Sequence, residues 1–514
     1  MKNKFIYIAL AMAAFTSCEP EFNDPIDESG FYTQGEADLS NYVALGNSLT
    51  SGYTDGALYL DAQMSSYPNI MAEKFAMAGG GAFTQPLVND NLGGLLLGGQ
   101  QIADTRLVLN FDENGNPFPT RLAGTPTTEI TNAPEGPFNN MGVPGAKSFH
   151  LVTPGYGNVA GIGTTANPYF ARMASSAEAT VLGDALAQQP TFFSLWIGNN
   201  DVLSYAASGG IGTDQTGNLD PSSYGSNDIT DPNVFGAVTS EIINNMSANG
   251  AKGVVINIPD VTLAPFFRTV PNNALVLSAE LAGQLTGFFQ AVAGITTQGL
   301  IQQGVDPATA QALASQYAIT FNEGPNRWII DVPVSQTNPL GFRQMTEEEL
   351  VLLTVDQAAL ASGYGSVVLT PEVLQVLGKL QQGMEITAEE GALVIGAVSG
   401  LDDQDALDND EIAAVNQARA AYNSTLSALA AQNDLVLMDV ESLFTRIAEM
   451  GYDYGSGSVT TDFGTGGAFS LDGIHFTPRG YAIVAHEIIE AINEGYNASI
   501  PGVNPGDYPT VFIQ

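Results

Sequence analysis

The sequence predicts a three-layer α/β/α sandwich with a mostly parallel sheet, and two observations lead to this prediction. Segments with helical spacing alternate along the chain with short apolar runs, a pattern typical of a parallel sheet with helices on both faces. Each apolar run has the length and composition of a buried strand. The runs are Tyr42–Leu45, Phe192–Ile197, Gly253–Ile258 and Leu435–Val440.

The order of the elements supports this prediction. The first run closes at Gly46 and the second at Gly198, and polar residues follow each glycine, as expected where a buried strand ends in a functional turn. Helices are predicted over about 234–249 and 411–432, before the third and fourth strands. A last helix is predicted over about 478–493, with a proline near its first turn.

Two regions exceed a minimal domain of this class and are predicted to be insertions. The first, at about 79–136, is rich in glycine and proline. The second, at about 269–410, is predicted to be mainly helical, because Ala274–Gln303 and Thr346–Ala361 have amphipathic patterns. We expect it to form a small lid or cap beside the functional site.

Composition excludes some functions. The 514 residues are 44% hydrophobic, enough to bury a core, so a disordered chain is excluded. Only 15 Lys and Arg stand against 54 Asp and Glu, giving a net charge of -39. Such a charge repels phosphate backbones, so we expect no nucleic-acid partner.

The amino terminus predicts export. Lys2 and Lys4 precede an apolar run, Phe5–Phe15, that is too short to span a bilayer, as in a signal peptide over residues 1–17. Cys18, the only cysteine, follows small residues in a pattern similar to a bacterial lipobox. We therefore expect lipidation of Cys18, a membrane anchor, a flexible tether over 18–36 and one domain over 37–514, in the cell envelope at the outer membrane. The alternative is that Cys18 ends an ordinary cleaved secretory signal.

Candidate catalytic groups are few. Ser48 follows the first predicted strand, where parallel sheets expose functional groups. Of three histidines, His475 lies three residues after Asp472, close enough for one carboxylate to orient the imidazole. His486 falls within the last predicted helix, which favours a structural role.

Four segments together resemble, in order, the conserved blocks of the SGNH hydrolase superfamily, also called the GDSL esterase/lipase family. They are Gly46-Asn47-Ser48-Leu49, Asn140-Met141-Gly142-Val143-Pro144-Gly145, Gly198-Asn199-Asn200-Asp201 and Asp472-Gly473-Ile474-His475. Asn47 departs from the family, which usually has aspartate there. The two insertions lie outside the resemblance.

The resemblance implies a flavodoxin-like sheet and a role for each matching residue. Ser48 would be the nucleophile, His475 the base and Asp472 its partner. The Ser48 and Gly145 amides and the Asn200 side chain would form the oxyanion hole. The implied substrate is an ester, whether a lipid, a short acyl ester or an acylated carbohydrate, and no cofactor or metal is expected.

Alternatives stand beside these expectations. Taken singly, Ser48 could be a turn residue, Gly145 a loop glycine, Asn200 part of a helix cap, and the Asp472–His475 pair a local hydrogen bond. A surface protein that binds a glycan or a partner without catalysis is a second class of function, and a structural envelope protein a third. The acidic run at 402–411 invites a calcium-site interpretation, but it lacks the glycine and spacing of an EF-hand, which favours a solvated loop and helix start.

Overall fold

A central sheet of five parallel strands organises the protein, whose computed structural model describes residues 31–113, 115 and 117–512. The predicted α/β class with a parallel sheet is therefore confirmed. The order across the sheet is β5-β4-β3-β1-β2, or 2-1-3-4-5 outward from the β2 edge. The strands are β1 (Tyr42–Gly46), β2 (Asn140–Gly142), β3 (Phe192–Trp196), β4 (Lys252–Ile256) and β5 (Val436–Met438).

Helices enclose the sheet. Every residue of β1 and β3 is buried, as expected for a parallel sheet covered on both faces. Helix α2 packs on α9, and α7 packs on α4 and α5. The labelled helices are α1 (Ser48–Ser51), α2 (Tyr67–Met77), α3 (Val181–Ala187), α4 (Asn200–Ala207), α5 (Pro232–Ser247), α6 (Ala279–Gln302), which belongs to the second insertion, α7 (Asn409–Gln432), α8 (Val440–Met450) and α9 (Pro478–Gly495). Shorter helices span Leu60–Met64, Pro168–Ala171 and Pro265–Arg268.

The four predicted strands are present, and β2 adds a fifth that apolar patterning did not reveal. Its three residues are Asn, Met and Gly. Asn140 is nevertheless buried, because its side-chain amide donates to the Thr50 carbonyl and to Gln85 Oε1, both at 3.0 Å. These hydrogen bonds satisfy the buried Asn140, next to Met141, which is buried in the apolar core.

The first insertion forms two antiparallel hairpins. Leu95–Leu97 pairs with Gln100–Ala103, and Leu107–Phe111 pairs with Pro117–Arg121. The second hairpin lies close to the end of α1, because the Leu107 amide donates to the Asp55 carbonyl at 2.7 Å.

The second insertion combines helices with short two-stranded antiparallel pairs around its own apolar core, in which Phe288 and Phe289 are fully buried. Helix α6 starts at Ala279, five residues later than its predicted start. The helix predicted over Thr346–Ala361 is wrong. Leu350–Val351 is instead a strand paired with Ala406–Leu407, and only Gln357–Ala361 is helical. The other helices of the insertion are Pro307–Ser315, Pro371–Gln381 and Ala388–Ile395.

The chain enters the domain beside the end of α9. The Thr33 amide donates to Ser499 Oγ at 3.0 Å and the Glu36 amide to the Tyr496 carbonyl at 2.8 Å. These two residues of the predicted tether thus contact the domain. The predicted signal peptide and Cys18 lie outside the described residues. Within 31–512, no helix has the length and apolar character needed to cross a membrane.

Candidate active site

Three loops meet at the carboxyl edge of the sheet. The segments after β1, β2 and β3 carry Ser48, Gly145 and Asn200, respectively. Because neighbouring parallel strands end at the same edge, their following loops lie side by side. The segment 470–475, which leads into α9, joins them there through hydrogen bonds described below.

Ser48 is the first residue of a single helical turn, α1. Asn47 caps this turn through its Oδ1, which accepts from the Leu49 amide at 3.0 Å. The Asn47 amide group also donates to Asn199 Oδ1 at 3.2 Å, linking the first loop to the third. An ionised aspartate at this position would have no donor for this bond.

Backbone crowding fixes the strand end before Ser48. A Cβ added to Gly46 would lie 2.4 Å from the Trp196 carbonyl oxygen and 2.1 Å from Thr50 Oγ1. Only glycine fits between β3 and α1 at this point. The Ser48 side chain therefore projects from a rigid turn, with 7% of its surface exposed.

A chain of two hydrogen bonds joins the three predicted catalytic residues. His475 Nε2 lies 2.9 Å from Ser48 Oγ, and His475 Nδ1 lies 2.9 Å from Asp472 Oδ2. Because the carboxylate accepts only, Nδ1 carries the proton and Nε2 offers its lone pair to the Ser48 hydroxyl. This is the tautomer that a general base requires.

The Asp472 carboxylate is fully engaged. Its Oδ1 accepts from the amides of Ile474 and His475, at 2.9 and 2.8 Å, and Oδ2 also accepts from the Gly56 amide at 2.8 Å. Burial opposes ionisation, but the imidazole and these donors outweigh it and hold the pKa of Asp472 well below its usual value. The carboxylate stays charged and keeps the imidazole oriented.

Two of the three predicted oxyanion donors, Gly145 and Asn200, lie on the other two loops. Gly145 is exposed and has a φ of 78°, a left-handed conformation that glycine adopts without strain. Asn200 begins α4, and its Nδ2 donates to the Ala146 carbonyl at 2.9 Å. An amide group has two hydrogens, so one remains for a ligand. The same bond connects the second loop to the third.

A buried carboxylate reinforces that connection. Asp201 is completely buried and accepts from the Ser148 hydroxyl at 2.6 Å and from the Ser148 amide at 2.9 Å. Burial raises the pKa of Asp201, against the opposing effect of Ser148 and Lys147. Asp201 is therefore a structural residue that holds Ser148 in place. Asn200 is the residue of this pair that has a donor for a ligand.

The other two histidines are held away from this arrangement. His150 Nδ1 accepts from the Lys147 amide at 3.0 Å, and its ring stacks on Tyr156 with centroids 4.5 Å apart. Burial, with the Lys147 charge, lowers the pKa of His150 to about 4, so it is neutral at pH 7. His486 Nδ1 accepts from the Val503 amide at 3.3 Å.

The sequence did not reveal several residues that lie next to Asp472 and His475. The Tyr53 ring lies 4.8 Å from the imidazole of His475, and its hydroxyl donates to the Gly56 carbonyl at 2.8 Å. Asp55, buried beside Asp472, was also missed. The Asp55-Gly56 pair was the available signal, since that dipeptide favours tight turns.

Main-chain hydrogen bonds link the second insertion, through Phe266, to the segment 470–475. The Phe266 amide, just before the insertion, donates to the Gly473 carbonyl at 3.0 Å. Leu353, inside it, donates its amide to the Phe266 carbonyl at 2.8 Å. The expected position of this insertion beside the site agrees with these contacts.

Comparison with protein-family models, with curated proteins and with solved structures found no match. Among the residues that the structure describes, no three or more His, Cys, Asp or Glu side chains are grouped to hold a metal ion.

Proposed function

We propose that this chain is a serine hydrolase of the SGNH (GDSL-like) type that cleaves carboxylic esters through an acyl-enzyme. The observation that carries the proposal is the hydrogen-bonded chain from Ser48 through His475 to Asp472. The strand order 2-1-3-4-5, that of flavodoxin-like sheets, and the nucleophile at the carboxyl edge support the SGNH assignment.

The first half-reaction follows from the positions of the protons. His475 Nε2 takes the Ser48 proton as Oγ attacks the ester carbonyl. Amides of Ser48 and Gly145 and the free hydrogen of Asn200 Nδ2 receive the developing negative charge. When the tetrahedral intermediate collapses, the imidazolium gives its proton to the leaving alcohol, and the acyl group stays on Oγ.

Water completes the cycle. Nε2 removes a proton from a water molecule, which attacks the acyl carbonyl and forms a second tetrahedral intermediate. Its collapse releases the carboxylic acid and returns the proton to Ser48. Throughout, the Asp472 carboxylate stabilises the imidazolium.

Turnover of short-chain chromogenic esters and labelling by a fluorophosphonate test the proposal. We expect wild-type protein to hydrolyse the esters and to be labelled, and Ser48→Ala to lose both properties. Ser226→Ala, which alters an exposed loop serine, is the matched control and should behave as wild type. Equal labelling of Ser48→Ala and wild type would rule out Ser48. Absence of labelling in the wild type would favour the alternative, a surface protein that binds without catalysis.

The lipid anchor is a separate proposal. We infer from the amino-terminal sequence that Cys18 is lipidated after export and tethers the protein to the outer membrane. Metabolic labelling with a fatty-acid probe should mark the wild type and spare Cys18→Ser. Equal labelling of the two proteins would contradict this assignment.

A further inference from the structure

The turn that follows α1 contacts the catalytic segment. The Thr54 and Ala57 backbones exchange two hydrogen bonds, at 3.0 and 3.1 Å, around Asp55 and Gly56. Both central residues have positive φ, 51° and 69°, as in a type I′ turn, where Asp-Gly is a preferred sequence. A tight turn at Thr54–Ala57 thus lies shortly after the helical turn that carries Ser48.

Four hydrogen bonds run from this turn to residues 470–476. Thr54 Oγ1 donates to the Phe476 carbonyl at 2.6 Å, and the Asp55 amide donates to Ser470 Oγ at 2.9 Å. The Leu471 amide donates to Asp55 Oδ1 at 3.1 Å, and the Gly56 amide donates to Asp472 Oδ2 at 2.8 Å. The turn therefore holds the segment on both sides of Asp472.

Asp55 is the charged member of this contact, and only 2% of it is exposed. Its second oxygen, Oδ2, accepts from the Tyr59 hydroxyl at 2.9 Å. The guanidinium of Arg106 covers the Tyr59 ring, 4.8 Å from its centroid, and its charge favours the ionised carboxylate. Burial, helped by the charge of Asp472, raises the pKa of Asp55 to about 6, so the group is ionised at neutral pH.

We propose that Asp55 is a positioning residue that keeps Asp472 aligned with His475 Nδ1 by holding the preceding peptide, and this inference rests on the proposed hydrolase function. Asp55 touches no reacting atom. Its Oδ1 accepts from the Leu471 amide, and Gly56, the next residue of the turn, donates its amide to Asp472 itself. A displacement of Asp472 would turn the imidazole and move Nε2 away from Ser48 Oγ.

The kinetic test compares two aspartates. Asp55→Asn leaves one acceptor oxygen for two donors, Leu471 N–H and Tyr59 O–H, so the contact is weakened. We expect kcat to fall about 10- to 100-fold while KM changes less than about twofold, because misplacement affects proton transfer more than substrate binding. Asp61→Asn, which removes an exposed carboxylate six residues later, is the matched control and should retain wild-type constants.

A second readout follows the Asp472–His475 bond directly. The proton on His475 Nδ1 should give a downfield proton NMR resonance, assigned by its loss in His475→Ala, since the chain has only three histidines. Asp55→Asn should shift or abolish this resonance, and Asp61→Asn should leave it unchanged. A merely structural role for Asp55 would lower thermal stability without moving the resonance of the folded protein.

The outcomes separate the two proposals. An Asp55→Asn protein with wild-type kcat and an unchanged resonance overturns the positioning role. If that variant does not fold, Tyr59→Phe, which removes only the hydroxyl donor to Asp55, must shift or weaken the resonance, and an unchanged resonance overturns the role. If wild type neither hydrolyses esters nor reacts with the fluorophosphonate, the proposed function fails, while the resonance still decides the role of Asp55.

Discussion

His475 Nε2 lies 2.9 Å from Ser48 Oγ, although 427 positions separate the two residues in the chain. In the proposed hydrolase, the imidazole and the hydroxyl would therefore act as one proton-transfer unit. Residues that act as such a unit show strongly non-additive effects on turnover.

The first prediction concerns this unit. His475→Ala should lower kcat by about 10⁴- to 10⁶-fold, because it removes the base that is hydrogen-bonded to the Ser48 hydroxyl. The double variant Ser48→Ala/His475→Ala should be no slower than either single variant. Steady-state kinetics on a chromogenic ester measure both effects, with His486→Gln as a control that should keep wild-type turnover. Additive losses in the double variant would contradict the prediction.

The second prediction concerns Asn200. Its Nδ2 already donates to the Ala146 carbonyl, so the second hydrogen is the one expected to meet the oxyanion. Asn200→Ala should lower kcat by about 100- to 1000-fold with little change in KM, since that bond forms mainly in the transition state. Asn244→Ala, at an exposed site on α5, is the control. A large increase in KM at unchanged kcat would instead indicate substrate binding.

The third prediction concerns Gly473. An added Cβ would lie 3.0 Å from both the Phe266 nitrogen and Leu353 Cδ2, at a φ of 72°. Gly464 has nearly the same φ, 71°, with nothing within 4 Å of an added Cβ, so Gly464→Ala reports the backbone strain alone.

We expect both alanine variants to lose about 1 kcal/mol from backbone strain, and Gly473→Ala to lose more because of the contacts. Only Gly473→Ala should also lower kcat, by about tenfold or more, since it displaces the segment carrying Asp472 and His475. Denaturation midpoints and ester kinetics test both effects. Equal stabilities and activities of the two variants would refute the proposed contact.

The fourth prediction is a pH dependence of stability that originates in Asp55. Its pKa is about 6 in the folded protein and near 3.8 in the unfolded chain, so between these values the folded state retains a proton that the unfolded state has lost. The ionisation of Asp55 therefore lowers the free energy of unfolding as pH rises from about 4 to about 6. Asp472 has the opposite sign, because its lowered pKa adds stability above about 4 that is lost at lower pH.

Removing the Asp55 carboxylate should eliminate this pH-dependent decrease in the free energy of unfolding. The free energy of unfolding of Asp55→Asn, relative to wild type, should rise by up to about 3 kcal/mol between pH 4 and pH 8. Denaturant titrations across that range measure the difference. Parallel pH profiles for the two proteins would exclude the raised pKa. The charged groups facing Asp55 are Asp472 and Arg106, and both remain in the variant.

Much of the sheet could be predicted because its strands are short apolar runs buried on both faces. Strand β2 escaped that criterion, since Met141 is its one large apolar residue and hydrogen bonds satisfy the buried Asn140. The helix predicted over Thr346–Ala361 is wrong because Leu350–Val351 pairs with Ala406–Leu407, a partner more than 50 positions away that no local periodicity reveals.

Local spacing was informative for one part of the site only. The Asp472–His475 bond joins residues three positions apart, so the sequence could predict it. The contacts of Asp55 with Leu471 span 416 positions and depend on how the turn after α1 meets the segment before α9. Long-range placement of this kind follows from the assembled fold and leaves no periodic signal.

The bonds from Leu353 to Phe266 and from Phe266 to Gly473 use only peptide groups. The side chains of Phe266 and Leu353 can therefore be substituted without removing the peptide donors and acceptors that link the second insertion to the segment 470–475.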